Sequence, residues 1–274
     1  VSPWWREQVE VVLAPDAVRV ARFAAGLRPR CIERVAHAVD GRDSAALIAA
    51  LGRCAWTDAA RVHVRVSSHL VRLHLLPWTE AVATDAECEA LARVELEAVH
   101  GPAARGWALG FVEPRAREAL GVAAVDRALL DGVRALCAQR RGVLASFAPA
   151  AAVALARASR RRSATSADAR TAVAWCEPGR VTLAVHAGGR LEGLANPRAP
   201  RGALAALNTA LATRADDRTG RGSLAVVFAG AREALPARIG DWDVERVTEH
   251  AWDGVGTPSA SRPATRAAAS EVAR

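Results

Sequence analysis

Lysine, tyrosine and methionine are missing from the 274 residues, and all 37 basic side chains are arginine. Without lysine there is no Walker A cation, no Schiff-base nucleophile and no kinase-type strand lysine. The excess of Arg, Ala, Val and Gly fits a GC-rich coding background, so arginine number by itself is no sign of function. Cysteines are few and scattered: Cys31, Cys54, Cys88, Cys137 and Cys176 are odd in number, form no CxxC, and sit mostly in apolar periodic segments. That pattern predicts buried, reduced thiols in a cytosolic protein rather than a disulfide frame or a zinc site. No G-x-S-x-G nucleophile elbow occurs. No apolar run approaches the ~20 residues of a membrane span, and no charged start followed by an apolar stretch predicts a leader. Aromatic residues make up 4% of the chain, too few for the stacking platforms that hold single-stranded nucleic acid.

What remains is a globular composition, 51% hydrophobic and 24% charged in 28.8 kDa, enough for one large domain or two of ordinary size. The net charge of +8 and pI near 10.8 favour anionic partners, whether nucleic acid, acidic protein surfaces or anionic lipid. Solvated arginine faces are the plainer reading. The run Arg157, Arg160, Arg161 and Arg162 admits both: phosphate contacts, or charges that stabilise a helix C-terminus.

Periodicity organises the chain twice in the same order. Val9–Leu13, Ala17–Phe23 and Ile32–Val39 read as three short strands separated by a turn at Ala14-Pro15-Asp16 and a break at Gly26, an antiparallel meander. Asp43-Ser44 caps a helix through about Leu51, and Arg61–Val66 alternates strictly as a strand. Later, Thr171–Cys176, Arg180–Val185 and Arg190–Leu194 form strands around Glu177-Pro178-Gly179 and Gly188-Gly189. Leu204, Leu207 and Leu211 then mark a helix, and Ser223–Phe228 a buried strand. Strand, strand, strand, helix, strand thus occurs twice, a domain-sized internal duplication. Between the copies, Leu70–Leu76 reads as a strand ending at Pro77-Trp78, Asp85–Val99 as a helix with a Glu89–Arg93 pair, and Arg105–Val112 as a strand. A helix follows over Val125–Gln139 with Val125, Leu129, Val133, Leu136 and Cys137 as its buried stripe, then a strand at Val143–Phe147 and a helix with Pro149 in its first turn. Arg160–Ala167 reads as a link, and the last twenty or so residues as a mobile tail.

The duplication, together with Val11-Val12-Leu13-Ala14-Pro15-Asp16-Ala17-Val18 and the stretch Arg65–Trp78, resembles the actin-like, ribonuclease-H-type cytoplasmic proteins of type IV pilus and type II secretion platforms, the PilM and GspL group. The resemblance covers roughly residues 9–250. It implies an α/β fold of two mixed-sheet lobes, a first lobe over 1–160 with an inserted subdomain about 67–115, a second over 165–255, and a flexible tail at 256–274. Nucleotide-binding members hold phosphates in two hairpin turns built from Asp, Gly and Ser or Thr, the Asp positioning magnesium and water.

Here the matching positions depart from that pattern. The first turn keeps Asp16 but has no Gly or hydroxyl, and Pro15 removes an amide donor. The second keeps Gly179 and Thr182, with Trp175 or a neighbour where an Asp would be expected. The adenosine-side glycine pair is reduced to Gly230. The site therefore reads as degenerate, with no ATP or magnesium cofactor and no catalytic residue.

The resemblance implies a cytoplasmic scaffold at the inner face of the inner membrane. Its partners would be a platform protein's cytoplasmic peptide and the secretion or pilus assembly ATPase, with peripheral membrane association and no nucleic acid. A nucleotide-binding actin-like ATPase using amides at Gly179 and Gly230 with ATP and magnesium is the alternative, and an arginine-driven nucleic-acid module a further one.

Other constellations are weaker. His63, His69 and His74 cluster in sequence, yet an extended strand at ~3.3 Å per residue separates them unless a turn at Ser67-Ser68 folds His63 back toward His69. Ribonuclease H chemistry needs three or four converging carboxylates, where the strands offer Glu10 and the turn Glu177. Trp4-Trp5 reads as an edge pair or a partner anchor, and Trp78 as a core or subdomain-junction residue.

Overall fold

Valines and leucines at alternate positions build the first sheet. The structure, a computed structural model, describes residues 6–27, 29–41, 43–80, 84–111, 119–162 (backbone alone from 158), 170–213, 222–229 and 233–247. β1 (Gln8–Leu13), β2 (Ala17–Phe23) and β3 (Cys31–Ala38) form the antiparallel meander. Val9, Val11 and Leu13 on β1 and Val18 and Val20 on β2 share one buried face, as the two-residue strand period requires. α1 (Ser44–Arg53) begins where the Asp43 carboxylate accepts the Ala46 amide at 2.7 Å, a side-chain N-cap. β4 (Arg61–Val66) and β8 (Val143–Pro149) extend the sheet in parallel, giving the order β3-β2-β1-β4-β8. α1 and α3 (Arg127–Gln139) cover the valine face, with Leu47, Leu51, Leu129 and Val133 in its core.

The second sheet repeats this plan. β9 (Thr171–Glu177), β10 (Arg180–Ala187) and β11 (Arg190–Ala195) are the meander, α5 (Ala203–Ala212) is the crossover, and β12 (Gly222–Phe228) and β14 (Trp242–Val247) run parallel beside β9. With the two-residue β13 (Arg238–Ile239), the order is β11-β10-β9-β12-β14-β13. One feature differs. α4 (Ala150–Arg162) leaves the first sheet at β8 yet packs Ala150, Ala151 and Ala154 against Trp175 and Val227 of the second, while α5 covers the opposite face. Covered on both sides, β9 and β10 are buried over five consecutive residues where β1 alternates, as strands between two layers are.

A third, antiparallel sheet, β5-β7-β6, lies between the copies: β5 (Val71–Leu76), β6 (Trp107–Phe111) and β7 (Leu120–Asp126). α2 (Asp85–His100) buries Ala92 and Leu96 against it, behind a capping box formed by Thr84 and Glu87.

Several expectations need correction. Leu120–Asp126 is the central strand of the third sheet; α3 starts at Arg127, with the Asp126 side chain as its N-cap, so Val125 belongs to a strand. Pro102–Gly106 is a 3₁₀ turn, and the strand expected from Arg105 starts at Trp107. Pro149 ends β8 rather than opening the helix, and Arg160–Arg162 belong to α4 rather than a link. Trp78 is 42% exposed, so it is no core residue. Trp4-Trp5, residues 163–167 of the expected link, and the expected tail lie outside the described residues.

Candidate functional site

The two hairpin turns expected to face a ligand each carry a proline at the same place. In the first, Ala14 and Ala17 bond to each other through both amides, at 3.0 and 3.3 Å. Pro15 has no N–H, so Asp16 supplies the one amide left over in Ala14–Ala17. Its side chain is exposed, and its carbonyl accepts the Val39 amide at 3.0 Å. In the second turn, Glu177 pairs with Arg180 across Pro178 and Gly179, and Gly179 has φ +76. That left-handed backbone is why glycine follows proline here. The Gly179 carbonyl accepts from Ala199 at 2.8 Å.

Between the turns, the end of β4 reaches across to the second sheet. Ser67, Ser68 and Thr182 are buried polar residues, each 1% exposed or less. The Ser67 amide donates to Leu13 at 2.8 Å, which ties the corner to β1. The Ser68 amide donates to Glu177 Oε2 at 2.7 Å. Thr182 Oγ1 lies 2.9 Å from Ser68 Oγ and 3.2 Å from Asn196 Oδ1, and Asn196 Nδ2 donates to the carbonyls of Ser68 (3.1 Å) and Val71 (3.4 Å). His69 Nε2 sits 2.9 Å from the Pro178 carbonyl. A carboxylate of the chain thus takes a backbone amide at the junction of the sheets, and the buried hydroxyls and amide satisfy one another.

Thr182 therefore faces Ser68 and Asn196 in a structural network, and Gly179 shapes the turn beside it. Asp16 is exposed, in the turn of the first sheet. Gly230 lies outside the described residues. The sequence reading missed Ser68 and Asn196; a turn at Ser67-Ser68 was its one signal.

The histidines separate. His63 Nδ1 bonds Ser146 Oγ at 2.9 Å while His69 turns to Pro178. Among the described residues no group of His, Cys, Asp or Glu is placed to hold a metal. Burial, then the charges of Arg61 and Arg65, push the His63 imidazole down to about 4 from an ordinary value of 6.5. The unfolded chain therefore takes up a proton that the folded one refuses between about pH 6.5 and 4, and stability falls as pH drops through that window. Urea unfolding at pH 7 and 4.5 should show a loss of about 2 kcal/mol from this group. His63→Gln should flatten that part of the profile; an unchanged profile would contradict it.

No protein-family model and no curated protein matches the chain. Solved structures do. A Bacteroides thetaiotaomicron protein with actin-like ATPase fold and unknown function superposes with a TM-score of 0.56 at 9% identity, over 82% of either chain. The cytoplasmic domain of EpsL, an inner membrane component of the type II secretion system of Vibrio cholerae, does so at 0.52 and 14% identity, over 88% of this chain and 90% of its own. A PilM–PilN type IV pilus biogenesis complex aligns at 0.48 and 15%, over 81% of either chain. The first two likenesses establish the fold: the chain has the actin-like ATPase fold, duplicated mixed sheets with an added third sheet, as the resemblance implied.

Proposed function

We propose that this chain is a non-catalytic scaffold of an inner-membrane assembly platform of the type II secretion and type IV pilus kind, working at the cytoplasmic face. It would dock a cytoplasmic peptide of a membrane partner, with the assembly ATPase as a second partner. The observation that carries the reading is the junction just described: the amide of Ser68, the hydroxyl of Thr182 and the Asn196 side chain are all taken by groups of the chain itself. The first turn keeps a single uncommitted amide, and both turns contain proline. A triphosphate held by backbone donors and a metal-bound carboxylate would have little to grip. The cytoplasmic EpsL domain, similar over nearly the whole chain, supports the platform assignment. No described helix is long and apolar enough to cross a membrane. Among the described residues β3 is an edge strand of the first sheet, the kind of surface that takes an extended peptide as an added strand.

Thermal unfolding with millimolar Mg-ATP tests the first half of this reading. The midpoint should stay within about 1 °C of the value in inorganic phosphate of equal ionic strength; a further rise of several degrees, or measurable phosphate release, would favour the ATPase reading. Co-purification with the cytoplasmic segments of bitopic membrane proteins encoded beside it tests the second half. Failure to bind any of them would end the docking reading.

A further inference from the structure

Three arginines gather at the same junction, where Glu177 is the one carboxylate among the described residues that acts on Arg180. Arg180 follows the second turn, and because Val181, Leu183 and Val185 point into the core under α5, Arg180 and Thr182 leave the opposite face of β10. Arg198 stands opposite Arg180 in an isolated antiparallel bridge, so the two side chains start from the same face. Arg72, on β5, places Nη1 3.3 Å from the carbonyls of His69 and Val71. The Val71 carbonyl also receives Asn196 Nδ2, while the Asn196 carbonyl receives Arg180 Nη1 at 3.2 Å. Arg72 and Arg180 are therefore joined through one residue on each side.

The charges there do not cancel. Arg180 Nε is buried with no hydrogen-bond partner. Glu177, the carboxylate that favours the charge on Arg180, has Oε2 on the Ser68 amide. Burial, followed by repulsion from Arg72 and Arg198, holds the Arg180 guanidinium below its ordinary value. Arg198 and the neighbouring Gly179 are exposed, so solvent reaches the group. Like charges held together in a folded protein cost stability unless an anion lies among them.

We propose that Arg72, Arg180 and Arg198 form an oxyanion site at the junction of the lobes, and that its ligand is a phosphate group. Guanidinium forks match the planar edges of an oxyanion, and a phosphate offers more acceptor oxygens and more charge than a single carboxylate. The donors are side chains rather than turn amides, and the site needs neither adenine nor a metal. The phosphate comes from free phosphate or from a phospholipid headgroup. The inference stands whether or not the docking reading does.

Thermal unfolding of the intact chain in sodium phosphate, against sodium chloride of equal ionic strength, tests it. The midpoint should rise saturably, by about 3 °C once phosphate is tenfold above its dissociation constant. Arg198→Gln and Arg72→Gln should each remove most of that rise. Among the described residues the Arg198 side chain makes no hydrogen bond, so Arg198→Gln should unfold no earlier than the parent in chloride. Vesicles of phosphatidate against phosphatidylcholine separate the sources: sedimentation with phosphatidate that Arg198→Gln abolishes assigns a headgroup, and its absence alongside the thermal shift assigns free phosphate. A midpoint that phosphate moves no further than chloride does, or a shift that survives both substitutions, would overturn the site.

Discussion

Thr182→Val should destabilise the protein by about 2–3 kcal/mol, a cost drawn from polar groups rather than packing. Valine has the shape of threonine, so no cavity forms and the apolar contacts persist. What goes is the hydroxyl that lies 2.9 Å from Ser68 Oγ and 3.2 Å from Asn196 Oδ1, at a residue with no exposed surface. Water cannot replace it, and leaving a buried polar group without its partner costs about 1–3 kcal/mol. The upper half of that range applies because two neighbours are affected. Thr182→Ser keeps the hydroxyl and should cost about 1 kcal/mol, the value of a buried methyl. In a double-mutant cycle with Asn196→Ala, equilibrium denaturation should show a coupling of roughly 0.5–3 kcal/mol. Additivity would mean that the network is not a unit. Hydrogen exchange at the Ser68 amide should accelerate in Thr182→Val, because that amide reports closure of the junction through Glu177.

That network shows where sequence reasoning stopped. The turns were legible, since Pro15 and Pro178-Gly179 punctuate them locally. So was the duplication, because the first meander buries one face and its alternation is visible in Val9, Val11 and Leu13. The partners of Ser68 were not legible: Glu177, Thr182 and Asn196 lie 109 to 128 residues away, and nothing local in Ser67-Ser68 selects them. β7 was missed for a different reason. Leu120-Gly121-Val122 and Ala124-Val125 are all buried, so the run has no period to read, and it abuts the amphipathic α3. The Asp126 cap marks the boundary, but periodicity carried the expected helix two residues too far back. β14 needs tertiary context as well: Trp242 lies over Gly222, where a Cβ would come within 2.5 Å of the indole. That pairing places a glycine at the start of β12 for space rather than for a turn.

Arg140→Ala should cost about 3 kcal/mol and lower the thermal midpoint by roughly 6–10 °C. Arg140 closes the C-terminus of α3, but its side chain serves the end of α1. Nη2 donates to the Gly52 carbonyl at 2.7 Å and Nη1 to the Cys54 carbonyl at 2.5 Å, and the guanidinium lies 4.1 Å from the centre of the Trp56 ring. Helix ends leave carbonyls that need donors and carry partial negative charge. One cation here supplies two donors, charge complementarity and a cation–π contact at a part-buried site. Hydrogen bonds from a charged group are worth about 1.5–3 kcal/mol, and the ring contact adds about 0.5–1. Arg140→Lys should recover less than half of the loss, since an ammonium cannot span both carbonyls while lying flat on the indole. The Cys54 thiol gives an independent readout. Burial pushes it up to about 11 although Arg140 and Arg53 pull the other way, so in the parent it should react slowly with a thiol reagent. In Arg140→Ala the end of α1 opens more often, and labelling should accelerate in proportion to the lost stability. Loss of a cation that lowers the thiol's pKa would by itself slow labelling, so labelling that is unchanged or slower, with an unmoved midpoint, would refute the clamp.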